Sequence, residues 1–369
     1  MTYKVTIFVE YQNIKKKLVI LYQIYIIMKY LWAYSVPIIG MLGIHFQGVW
    51  CWSAMIYAFV LIPIAEILMP VNTENYSEDE IENRLKNKFF DFLLYLNVPI
   101  VYGSLLYSIY IVTNNNLSGI EITGIILSLG VILGANGINV AHELGHRKTM
   151  FEKILGKLLL IPSHYTHFFI EHNHGHHLHV STPSDPSTAK YNQTLYAFWW
   201  QTVTGTYKEA WKIQNRLNKM EKRSFYSIKS DMFWFTLIQI TYIVLIYNFF
   251  GYVGTVVALF AGIVGFLVLE TVNYIEHYGL KRNMLPSGRF ERVTEKHSWN
   301  SNHVLGRIVL YELTRHSDHH FKSQKEYQIL EYHDVSPQMP YGYPTSMVMS
   351  FIPPLWFAVM NKRVPVDMK

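Results

Sequence analysis

The stretch from Ile120 to His146, IEITGIILSLGVILGANGINVAHELGH, decides how this chain is read. From Ile120 to Ala141 it is apolar but for Glu121 and a few small polar residues. At about 1.5 Å per residue that is long enough to cross the ~30 Å hydrocarbon core of a bilayer as a helix. The run passes without interruption into His142-Glu143-Leu144-Gly145-His146, whose two histidines stand one turn apart on one face and can share an ion. A span that ends in a pair of imidazoles predicts a metal site at the membrane edge.

The rest of the chain agrees with a membrane origin. Half of the 369 residues are hydrophobic and only 16% are charged, which excludes an ordinary soluble enzyme. Six stretches have the length and hydropathy of spans: Tyr30 to Phe46, Val49 to Met69, Phe89 to Val112, Ile120 to Ala141, Met232 to Phe250 and Tyr252 to Ile275. The fold class expected is therefore all-α, a polytopic membrane protein with six transmembrane helices and a histidine-rich cap. The turns His45 to Gly48, Thr113 to Gly119 and Gly251 contain no Lys or Arg, so all 32 cations lie on the other side. The positive-inside rule places that side, and both termini, in the cytoplasm.

The formal charge of +6 belongs to that face and suits anionic lipid; the cations are too scattered for nucleic acid. Cys51 is the only cysteine, so Cys-ligated zinc, iron–sulfur clusters and internal disulfides are excluded. Residues 1–28 read as an N-terminal extension, with Met28 as an alternative natural start. Residues 29–364 form one membrane-embedded domain, with cap segments at 142–230 and 276–346 and an interfacial helix and tail at 347–369.

Nine histidines form four clusters at matching depth: His142 and His146; His172, His176 and His177; His277; and His316, His319 and His320. Nine donors suffice for two ions at roughly four to five nitrogens each, and a nitrogen shell favours iron, copper or zinc. On helical spacing His172 and His176 share a face, with His177 about 100° round. His277 joins the set because its span emerges on the same side as His142. Glu143, Glu171, Glu276 and Asp318 adjoin the clusters and are expected to orient imidazoles from other helices. Glu270 and Asn273 precede His277 on its own face within the apolar run, where a carboxylate marks a functional site. His297 and His303 flank a polar segment short enough to cap the metals. The remaining histidines match no ligand spacing.

His142-Glu143-x-x-His146 is also the zinc-protease string, but that reading gives seven histidines no purpose. A metal transporter would hold its site near the midplane rather than at one edge. The joint pattern, His142-Glu143-Leu144-Gly145-His146, Glu171-His172, Gly175-His176-His177, Asn273-Tyr274-Ile275-Glu276-His277-Tyr278-Gly279 and Arg315-His316-Ser317-Asp318-His319-His320, resembles the integral-membrane alkane 1-monooxygenases from about Lys29 to Val364. Related xylene monooxygenase hydroxylases and membrane fatty acid desaturases or hydroxylases share the architecture and stand as alternatives.

The resemblance implies a desaturase-like fold in a bacterial inner membrane and a non-haem diiron centre, two Fe ions, held by the nine histidines. His174 occupies a variable position of the family pattern. The implied reaction hydroxylates the terminal carbon of n-alkanes to 1-alkanols with O2 and electrons from a separate rubredoxin, supplied by its reductase and NAD(P)H. The basic stretch Lys208, Lys212, Arg216, Lys219, Lys222 and Arg223 would dock an acidic rubredoxin. An alkane has no polar handle, so selectivity for the chain end requires a narrow apolar tunnel. Trp52, Ile56, Ala58, Val60 and Leu61 on the second span, with Leu133 on the fourth, are the candidates for its lining.

Overall fold

The computed structural model describes residues 28–225 and 227–369, so the extension before Met28 lies outside the described residues. A 3-10 stretch, Lys29–Tyr34, runs into helix α1 (Ser35–Phe46), and a tight turn at Gln47 and Gly48 leads into α2 (Gly48–Leu68). The polar helix α3 (Glu78–Lys86) precedes two long apolar helices, α4 (Phe89–Asn114) and α5 (Gly119–His146). Helix α6 (Met150–Leu160) follows, then α7, built from Phe168–Glu171, a π turn at His172–His176, and His177–His179. Two long helices, α8 (Leu195–Met220) and α9 (Asp231–His277), are followed by the short α10 (Val304–Val309), α11 (His316–Phe321), α12 (Tyr343–Ser350) and α13 (Pro353–Met360). Only isolated β-bridges occur among the described residues.

Helices α2, α4, α5 and α9 are each long and apolar enough to cross a membrane, so the protein is an integral membrane protein. Straight, the 47 residues of α9 would reach about 70 Å, over twice the hydrocarbon thickness. They are not straight. Gly251 takes φ 65° and ψ −165°, a conformation that only glycine adopts without strain. His164 contacts Gln239 on one side of this break and the Ala258 carbonyl on the other, so the chain folds back at Gly251. The sequence places a turn between two spans at that residue.

Helix α5 is the innermost, with 83% of its apolar window buried. It packs on the second half of α9 through glycine: a Cβ at Gly134 would lie 2.7 Å from Val268 Cγ1, and one at Gly265 would lie 3.0 Å from Leu133 Cβ. Small residues allow this approach where no water drives helices together. The far end of α5 is fixed by a capping box, Ser118 with Glu121, and Glu121 also accepts from Gly48 N at 2.9 Å.

The segments after α9 form a layer over the histidine ends of α5 and α9. Buried Arg315 donates to the Leu330 and Glu74 carbonyls at 2.7 and 2.8 Å, which fixes the start of α11. Trp299 donates its backbone N–H to the Glu276 carbonyl (2.8 Å) and its indole N–H to the Tyr278 carbonyl (2.9 Å), clamping the 297–303 segment on the end of α9. Glu312 accepts from Tyr30 and Arg307, each at 2.6 Å, and ties this layer to the start of the first helix.

Candidate metal centre

All nine histidines converge at this junction, in two groups. Nitrogens of His142, His146, His172, His177 and His319 lie within 4.8 Å of one another, as do those of His176, His277, His316 and His320. Each group could hold one ion. The Nε2 atoms of His146, His172 and His177 are mutually 2.9 to 3.1 Å apart, and those of His277 and His316 are 3.2 Å apart. The Nε2 atoms of His142, His176, His319 and His320 are buried without any hydrogen-bond partner.

These distances test whether the residues fit a metal. Donors ~2.1 Å from one ion and at right angles around it lie ~3.0 Å apart. Burial and the neighbouring imidazoles hold His172, His177, His316, His319 and His320 well below the ordinary histidine pKa, so they are neutral and their nitrogens are free to ligate. Buried polar atoms in folded proteins are almost always satisfied. Nine imidazoles whose Nε2 atoms face one another, the Glu276 carboxylate or nothing fit a metal centre.

The grouping departs from helical spacing in one place. His172 and His176 do stack, with ring centroids 5.2 Å apart, yet they serve different groups. The reason is the π turn: His177 N bonds to the His172 carbonyl, five residues back, and the wider turn brings His177 round beside His172. In α11 the spacing is ordinary, so His316 and His320, one turn apart, serve one group and His319 the other. His297 and His303 lie outside both groups; His297 Nδ1 is held by Thr294 N and His303 Nδ1 by Ser301.

The carboxylates sort differently from the sequence reading. Glu276 reaches a candidate ligand, its Oε2 lying 3.1 Å from His316 Nε2, so it borders the metal space itself. Glu143 bonds Arg147 at 3.0 Å and Tyr327 N at 3.2 Å, while Asp318 accepts from Lys325, His333 and Glu331 N at 2.7 to 2.8 Å. Glu270 accepts from Tyr165, Thr202 and Asn273, joining three segments of the fold. Glu171 is buried with Oε1 unpartnered, and burial, with Asp185 and Glu270 near it, raises its carboxyl well above the usual range.

Sequence reading missed the group that orients His176. Asp185 Oδ2 lies 3.0 Å from His176 Nδ1, fixing the ring with Nε2 turned inward. It sits in a Ser-Asp-Pro-Ser loop, shaped by its own bond from Ser187 N, and nothing in the spacing to His176 signals the contact.

Near both groups lies a narrow cavity of about 60 Å³ with an almost wholly apolar wall. Asn139, Val272 and Leu313 line its inner end, three to five residues before His142, His277 and His316; Ala58, Ile62 and Val36 line it further out. Its walls include two more π turns, Tyr57–Leu61 and Leu133–Ile138, at Ala58 and Phe59 and at Gly134 and Ala135. Of the residues proposed for a tunnel, Ala58 is part of this wall. Ile56, Val60 and Leu61 are exposed on the outer face of α2, Trp52 packs at Gly124, and Leu133 packs at Gly265. The π turn at Tyr57–Leu61 holds Ala58 and Phe59 in the wall.

Fold and site together define an integral membrane protein with a histidine-rich candidate metal site, and residues 120–349 match the family model described as fatty acid desaturase. The similarity to individual proteins is more specific. The chain is 36% identical over 344 residues to alkane 1-monooxygenase 2 of Pseudomonas aeruginosa, covering 90% of this chain and 91% of that protein. It is 36% identical over 339 residues to alkane 1-monooxygenase 2 of Alcanivorax borkumensis, covering 90% and 89%, and 26% identical over 335 residues to a xylene/toluene monooxygenase hydroxylase component of Pseudomonas putida, covering 89% and 87%. This chain belongs to the alkane 1-monooxygenase family.

Proposed function

We propose that this protein hydroxylates the terminal carbon of n-alkanes to 1-alkanols, with two iron ions in the two histidine groups. The observation that supports this best is two sets of inward-facing imidazoles near a narrow apolar cavity. The overall change, RH + O2 + 2 e⁻ + 2 H⁺ → ROH + H2O, needs an oxygen-activating centre, and two iron ions so held would supply that chemistry. The protein's part is positional. The cavity wall, apolar but for Asn139 at its inner end, presents only the slender end of the alkane to the histidine end of α5 and α9. Asp185 holds His176 in the tautomer that turns Nε2 inward.

In this reading the membrane is the bacterial inner membrane. The chain crosses it six times, with α1 as the first span and α9 contributing two, and both termini are cytoplasmic. Electrons come from rubredoxin, kept reduced by its reductase and NAD(P)H. A cavity of about 750 Å³ lined by Lys190, Lys208, Lys212, Lys281 and Arg282 suits an acidic donor, and Asp185 in its wall bonds the ligand His176.

The deciding experiment is elemental analysis of the detergent-purified protein, with assays on octane to hexadecane in the presence of rubredoxin, its reductase, NADH and O2. Two irons per chain with 1-alkanol as product is the expected result. One zinc per chain without oxygen consumption overturns the proposal.

A further inference from the structure

Helix α8 carries two stripes. Tyr196, Trp200 and Tyr207 are exposed along one, and Lys208, Lys212 and Arg216 along the next. An aromatic stripe beside a basic one is the pattern of a helix lying in a membrane interface. Beside Tyr207, between α8 and the first half of α9, a pocket of about 440 Å³ opens on the aromatic side. Its outer wall is apolar, with Ile240, Ile243 and Val244; its inner wall holds His164, His167 and Gln239.

The inner wall includes a histidine with one ring nitrogen that has no partner within the protein. His164 faces two internal acceptors, Gln239 Oε1 at 3.1 Å and the Ala258 carbonyl at 3.4 Å, so its ring proton is taken within the protein. His167 is only 6% exposed, and its Nε2 has no partner. Burial lowers its pKa to about 3, so the ring is neutral, with one nitrogen donating and one accepting. A hydroxyl can meet either nitrogen, whereas a hydrocarbon would leave Nε2 unsatisfied. His167 also stands beside the metal centre in sequence and space. The next residue, Phe168, stacks on His172 with centroids 4.6 Å apart, while the narrow substrate cavity has none of this pocket's residues in its wall.

We infer that this pocket binds an aliphatic alcohol, with the terminal hydroxyl on His167 and the chain along Ile240, Ile243 and Val244 toward the membrane. It is then the place the hydroxylated product occupies on leaving, distinct from the cavity through which the alkane arrives. The identity of the occupant as product rests on the hydroxylation reading; the binding of an alcohol does not.

The test uses a diazirine-bearing long-chain alcohol, photolysed on the purified metal-loaded protein and mapped by mass spectrometry. Label is expected on residues 164–167 and 235–244, with 1-dodecanol competing at a concentration about tenfold lower than dodecane, one hydrogen bond's worth. His167→Phe should raise the alcohol concentration needed for labelling there about tenfold, and His167→Asn, which keeps a hydrogen-bonding group, should restore it. Competition by dodecane equal to that by dodecanol overturns the inference, as does competition by lysophosphatidylcholine alone, which would make the pocket a lipid headgroup site. Labelling that His167→Phe leaves unchanged also overturns it. If the alcohol binds as expected but no alkane is hydroxylated, the site stands and the reading of the reaction fails.

Discussion

Replacing Asp185 with Asn tests the metal centre through one atom. Ser187 N donates to Asp185 Oδ1 at 3.0 Å, and Thr188 Oγ1 donates to Oδ2 at 2.6 Å, so the carboxylate cannot swing. In the variant, Ser187 N keeps the amide oxygen at the Oδ1 position, and the amide NH2 falls where Oδ2 was. That group then faces two donors, the Thr188 hydroxyl and the Nδ1–H of His176. The imidazole escapes the clash only by moving its proton to Nε2, the nitrogen that must ligate. Losing such a supporting contact costs about 10- to 100-fold in metal affinity or activity, or about 1.4 to 2.7 kcal/mol. The loss should be confined to the group His176, His277, His316 and His320. As chelator is raised against the purified variant, metal content should fall first to about one ion per chain while the five-histidine group keeps its own. If both ions are retained like wild type at every chelator concentration, and kcat stays within about twofold, Asp185 does not support a ligand.

Three further outcomes are expected. Ala58→Phe places a ring in the narrow cavity and should lower the turnover ratio of hexadecane to octane by about tenfold or more, whereas Leu61→Phe, on the exposed face, should not; an unchanged ratio in the first would remove the cavity from the substrate path. Reversing Lys190, Lys208 and Lys212 to Glu should raise the rubredoxin KM about tenfold at low ionic strength. The effect should fade as salt shortens the screening length from ~10 Å at 0.1 M toward ~3 Å at 1 M, and an unchanged KM at low salt would place docking elsewhere. Burial alone would raise the Glu312 carboxyl, but Arg307 and Lys29 bring it to about 2 from an ordinary 4.5. Because the folded value is the lower one, its contribution is present above pH 4.5 and is lost as pH falls toward 2, on the order of 3 kcal/mol. Glu312→Gln should flatten the pH dependence of unfolding in detergent over that window; an unaltered slope would assign acid lability to other carboxylates.

What the sequence made legible follows from what is periodic in it. The length of the apolar runs and the one-turn spacing of the paired histidines in α5 and α11 are read by counting residues. His277 followed from depth, because two spans that run the same way must emerge together. The division of the second cluster did not follow, since nothing in His172-Asn173-His174-Gly175-His176-His177 marks the wider turn that exchanges the roles of His176 and His177. Asp185 and the walls of the apolar cavity were hidden for a different reason. They are contacts between segments distant in sequence, and apolar residues on a membrane helix look the same whether they face lipid, a neighbour or a substrate.

The π turn at His172–His176 makes this stretch a measure of length before it is a list of residues. Substituting Gly175 with Ala would press a methyl to about 3.0 Å from Ile213 Cδ1 and 3.1 Å from Glu171 Oε1, a strain that small side-chain shifts can relieve while both ligand groups survive. Deleting Gly175 would let the segment close into an ordinary helix, in which His177 becomes the fourth residue after His172 and stays on its face, because the wide turn had absorbed one extra residue. His176 and His177 would then keep their directions to within roughly 30°, so the extra residue sets the length of the segment and the spacing along it, not which way its ligands face.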